Sequence, residues 1–106
     1  MMGMGSLSRQ ELGAMAEAAV IDAYGEYEQT SGFAVMIKDN LSLPFTTVVL
    51  GVEVTVVGVE QSSDSTIAAV CRRGKDKQRI DVLDLPLPVP VPEGAEWIEA
   101  WRHWNG

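Results

Sequence analysis

Residues Phe45 to Glu60 read FTTVVLGVEVTVVGVE, and this run decides the fold. Val, Thr and Phe favour a pleated, half-buried backbone, and alternation of their side chains marks one face for burial. Gly51 divides the run into two strands, Phe45–Leu50 and Val52–Glu60, joined by a tight turn. The same period of two continues through Thr66–Arg73 and Gln78–Leu83. Between these lie Gln61-Ser62-Ser63-Asp64-Ser65 and Gly74-Lys75-Asp76-Lys77, both turn-forming. Four short strands with tight connections predict a small antiparallel sheet, either open and curled or closed as an SH3-like barrel. Such a sheet cannot bury its own apolar face, so a helix must cover it.

Upstream, Ser8 and Glu11 have the spacing of a capping box, and Leu7 and Leu12 that of a hydrophobic staple. Leu12, Met15, Ala16, Ala19, Val20, Ala23, Tyr24 and Tyr27 then recur at intervals of three and four, a helical stripe. Thr30-Ser31-Gly32 is expected to stop this helix, which is also the element expected to cover the sheet. Phe33–Leu41 fits either period. A short second helix capped by Ser31 is the better reading, since Asp39-Asn40 suits a helix end and Pro44 forces extension.

Downstream, Leu85–Pro92 reads LPLPVPVP. Alternate prolines remove half the amide donors, which predicts a stiff strap laying Leu85, Leu87, Val89 and Val91 along the body. No two of these prolines are three apart, so a PxxP ligand is excluded. A last helix is expected from Pro92, with Glu93 and Glu96 in its first turn and Trp97, Trp101 and Trp104 on one face. The whole reads as an α+β domain over residues 8–106. Residues 1–7, with neither a cationic start nor an apolar block, read as a disordered end or an expression remnant.

Composition narrows the functional classes. The 106 residues carry 15 Asp and Glu against eight Lys and Arg, a net charge of −7. That field repels phosphate backbones and disfavours a nucleic-acid partner. No apolar run reaches the roughly 20 residues of a membrane span, so a soluble, cytoplasmic chain is expected. One cysteine and one histidine cannot form an internal disulfide or a soft-ligand zinc site. Any metal held here is a hard cation bound through oxygen.

Catalytic constellations are absent from the sequence: no GxSxG, no Gly-rich phosphate loop and no His-x-x-x-His pair. Cys71, mid-strand, reads as a small buried hydrophobe. A non-enzymatic protein is expected. Arg72, Arg73, Lys75, Lys77 and Arg79 hold five of the eight cations around the turn at Gly74. They read as a solvated tip that guards strand ends, or as a local patch for an acidic partner or for RNA. The carboxylates offer metal chemistry. Asp22 and Glu26 lie one helical turn apart, and Glu28, Asp39 and Asn40 approach them if Phe33–Leu41 folds back. Calcium takes six to eight oxygens from such groups, backbone carbonyls and water. No EF-hand loop occurs.

The run Asp22-Ala23-Tyr24-Gly25-Glu26-Tyr27-Glu28-Gln29, the Asn40-Leu41-x-x-Pro44-Phe45 turn and Trp97-Ile98-Glu99-Ala100-Trp101-Arg102-His103-Trp104 resemble one family. These are the small, acidic bacterial calcium-binding proteins of the cyanobacterial (heterocyst) type, and the likeness spans about Ile21 to Trp104. The resemblance implies a compact fold of helices and sheet and calcium binding without EF-hands, as buffer or sensor. By position, it implies metal ligands among Asp22, Glu26, Glu28, Asp39 and Asn40. Two residues depart from the pattern: Lys38 stands beside the Asp-Asn pair and opposes a cation, and Gly25 interrupts the acidic run. The competing expectation is an SH3-like interaction module that docks a protein partner through the basic hairpin or the Trp helix.

Overall fold

The computed structural model describes residues 8–106. Two helices, α1 (Arg9–Val20) and α2 (Glu26–Asn40), precede strands β1 (Phe45–Val49), β2 (Val52–Gln61), β3 (Ile67–Arg73) and β4 (Asp76–Asp81). A 3₁₀ turn over Val82–Asp84, the proline strap and helix α3 (Glu96–Asn105) complete the chain. The sheet is an antiparallel meander in the order β1-β2-β3-β4, with β1 and β4 as its two edges. The α+β architecture is as the sequence predicts, and the sheet takes the open alternative. Residues 1–7, including Leu7 of the expected staple, lie outside the described residues.

Register sorts the side chains. Phe45 pairs with Val56, Thr47 with Val54, Val56 with Cys71 and Ala69 with Ile80, so these residues share the inner face. A bulge between Val56 and Gly58 keeps Val59 in phase with them. One half of that face, with Val59 and Ile67, packs under Phe33, Ile37, Ile98 and Trp101. The other half, with Val54, Val56, Ala69 and Cys71, packs under Leu85 of the strap. Each such large side chain contributes about 1.5–3 kcal/mol by leaving water. The Thr47 hydroxyl donates to the Pro86 carbonyl at 2.7 Å and pins the strap.

Three boundaries differ from expectation for physical reasons. The helical stretch breaks at Ile21–Gly25, not at Thr30-Ser31-Gly32. Asp22 adopts a left-handed φ of 64° and Gly25 is extended, whereas Gly32 stays helical because α1 crosses there. A Cβ at residue 32 would lie 2.0 Å from the Ala19 carbonyl oxygen. Helix α2, not α1, therefore lies on the sheet, and α1 packs outside against α2 and α3. Helix α3 begins at Glu96, so Glu93 falls in the preceding turn. Val89 is 95% exposed, so the strap buries Leu85, half-buries Leu87 and Val91, and turns Val89 outward. The expected Ser8–Glu11 capping box is present in both directions.

Candidate metal-binding corner

Asp22, Glu26 and Glu28 gather at the corner where α1 hands over to α2, and all three are exposed. Glu28 is partly engaged: its carboxylate accepts the Tyr24 backbone N–H at 3.1 Å and ties the linker to the first turn of α2, whose N-cap Gly25 makes no side-chain cap. The last turn of α1 carries no basic residue, and no Lys or Arg occurs between Arg9 and Lys38. The carbonyl-bearing end of α1 thus adds oxygens and a partial negative charge. The amino end of α2 opposes a cation with about half an elementary charge. Two carboxylates in its first turn outweigh that, and the corner stays anionic.

Asp39 and Asn40 sit at the other end of α2. Asp39 lies thirteen helical steps beyond Glu26, which at 1.5 Å per residue is about 20 Å. The expected convergence of all five residues on one ion therefore does not form, because the segment between them is one continuous helix rather than two that fold back. At that far end Asn40 Nδ2 donates to the Met36 carbonyl at 2.7 Å, and Lys38 occupies the last turn. The Asn40 carbonyl is covered by Gly94, whose φ of 91° and missing Cβ allow the approach. Ser42 N–H donates to the Glu93 carbonyl at 2.8 Å.

The sequence reading missed one contributor to the corner. The loop Ser62–Thr66 is clamped onto the first turns of α2. Thr30 Oγ1 donates to the Asp64 carbonyl at 2.6 Å, and Gln61 Nε2 donates to the Tyr27 carbonyl at 3.1 Å. Asp64 thereby joins the acidic end of the molecule. The oxygen-rich composition of Ser62-Ser63-Asp64-Ser65 was the available signal; its placement against α2 was not visible before the helix break was known. As placed, no three His, Cys, Asp or Glu side chains among the described residues stand close enough to hold an ion. The donor chemistry suits calcium, and a site here would have to draw its ligands together on binding.

Other candidate groups resolve as structural. Cys71 is buried, and desolvation pushes its thiol above the ordinary range, so it persists as the neutral form. Trp101 is buried against Phe33 at a ring separation of 5.0 Å, while Trp97 is half-buried and Trp104 is 42% exposed. Trp101 and Trp97 thus serve the core, and Trp104 stays at its exposed margin. No described helix is long and apolar enough to cross a membrane.

No protein-family model and no curated protein matches the chain. Solved structures do. Over 98% of this chain and 95% of its own, Anabaena CcbP superposes with a TM-score of 0.69 at 18% identity. A calcium binding protein in its calcium-binding form superposes over 99% of this chain and 93% of its own, with a TM-score of 0.64 at 17% identity. This chain shares the fold of both, as the resemblance carried by the Asn-Leu-x-x-Pro-Phe turn and the Trp helix implied.

Proposed function

We propose that this chain is a non-enzymatic calcium-binding protein, acting as a buffer or sensor in the cytoplasm, and that the ion sits at the α1–α2 corner. The observation that carries the reading is the fold shared, end to end, with a protein solved in a calcium-binding form. Charge supports it: the net charge is −7, and the corner lies in the stretch between Arg9 and Lys38, which holds no Lys or Arg. Asp22 is the anchor, beside the carbonyl end of α1, with Glu26 and Glu28 completing the acidic side and Asp64 adding long-range attraction. Asp39 and Asn40 take no part in that ion's shell, since α2 holds them too far away. Because the ligands must be ordered on binding, affinity falls toward the weak range, on the order of 10⁻⁴ M.

Isothermal titration of calcium into metal-free protein, with magnesium as control, tests this. Asn tolerates left-handed backbone as Asp does, so Asp22→Asn changes charge with little strain. It is expected to weaken calcium at least fivefold, against less than twofold for Asp39→Asn. The reverse order moves the ion to the far end of α2. Failure of the unaltered protein to saturate below the millimolar range removes calcium binding as its role.

A further inference from the structure

We propose that the β3–β4 hairpin is a docking arm for an acidic, extended polypeptide segment, which adds to β4 as a fifth strand. This inference is independent of calcium binding. Every residue from Arg72 to Arg79 is exposed, so both faces of the arm stand clear of the core. Residues 72–79 carry five cations and one carboxylate, net +4; the rest of the chain, within a total of −7, carries −11. Five of the eight cations are thus concentrated in one projection of an otherwise acidic molecule.

Its arrangement opposes a purely structural role. Arg72 and Lys77 are directly opposite each other in the β3–β4 register, and like charges at that position destabilise a sheet. Arg79 lies on the same face and is already paired with Glu60. Arg72 and Lys77 have no such carboxylate partner among the described residues, so an added anion relieves their repulsion.

The backbone specifies what kind of anion fits. The strand β4 is an edge whose inner side pairs with β3 alone. A two-residue loop, Gly74-Lys75, joins the strands, with Gly74 at a φ of 59°. The closing pair Arg73 and Asp76 of such a loop exchanges both backbone bonds, and alternate residues follow suit. Lys77, Arg79 and Asp81 therefore turn their N–H and C=O groups to the free edge. A peptide strand satisfies those groups and brings its acidic side chains over Lys77 and Arg79. Nucleic acid does not use that edge. The arm offers no aromatic side chain for base stacking, and a uniformly charged polymer meets the −11 body beyond it.

The test uses the full chain in chelator-containing buffer and a fluorescein-labelled ten-residue peptide of alternating Glu and Thr, read by polarisation. The expected result is saturable binding that weakens with salt and falls at least tenfold in Lys77→Glu. That variant replaces a like-charge pair with an opposite one, so its fold is retained, as circular dichroism would verify. A peptide of the same charge, N-methylated at alternate residues, should also lose at least fivefold. Absence of binding by the Glu-Thr peptide overturns the proposal and leaves the arm as a guard against aggregation. Equal binding of the N-methylated peptide overturns strand addition. Tighter binding of oligouridylate than of the peptide overturns the choice of partner.

Discussion

Replacing Gly32 with alanine probes the contact that sets the positions of both early helices. Glycine inside a helix ordinarily costs about 1 kcal/mol relative to alanine, so on propensity alone Gly32→Ala stabilises. The structure predicts the opposite sign. The new Cβ would lie 2.0 Å from the Ala19 carbonyl oxygen and 3.1 Å from its carbon, whereas non-bonded carbon and oxygen approach to about 3.3 Å. Relief requires α1 to retreat by more than an ångström locally. The obstacle is backbone, which cannot rotate away as a side chain would. Retreat strips contacts from Ala16 and Ala19, both buried beneath that crossing. Overpacking costs about 1–3 kcal/mol; a backbone clash this close belongs at the upper end, so the net destabilisation is about 2 kcal/mol after the propensity gain of about 1 kcal/mol. Urea unfolding followed by circular dichroism reads this as a midpoint lower by roughly 1 M, with unchanged slope. A midpoint equal to or above that of the unaltered protein would mean that α1 does not cross α2 at Gly32, and the corner between them would lose its basis.

Two further outcomes follow from local geometry. Leu50 holds a left-handed φ of 50° at the β1–β2 turn while 97% exposed, so it carries backbone strain without burial; Leu50→Asn is expected to stabilise by about 1 kcal/mol, measured as a higher urea midpoint, and an unchanged or lower midpoint would contradict this. Cys71 keeps its proton to a higher pH when folded than when unfolded, so its contribution to stability is intact below about pH 8.5 and is lost as pH rises through the folded value. Unfolding midpoints of Cys71→Ala should therefore fall less steeply between pH 8 and 10 than those of the unaltered protein, and parallel slopes would contradict the burial argument.

Much of the fold was legible because period-two alternation and turn chemistry are local. The strand run from Phe45, the Ser8–Glu11 capping box and the proline strap each express a rule that neighbouring residues settle among themselves. The helix break was not legible for the converse reason. Thr30-Ser31-Gly32 carries the composition of a stop, yet Thr30 is buried to bond the Asp64 carbonyl and Gly32 is a contact point for Ala19. Both requirements come from segments distant in sequence. The candidate site inherited that misplacement. With α2 read as beginning after Gly32, Asp39 could return to Asp22; with α2 running from Glu26, it cannot. Gly94 is another residue whose reason is tertiary, since it clears the Asn40 carbonyl.

The most direct measurement is a calcium titration of isotopically labelled protein followed by amide chemical shifts. The account predicts progressive, saturable shifts concentrated in Val20–Gln29, with smaller ones in Ser62–Thr66. Shifts centred on Lys38–Ser42, or none as calcium rises to several times the expected 10⁻⁴ M order of affinity, would contradict it.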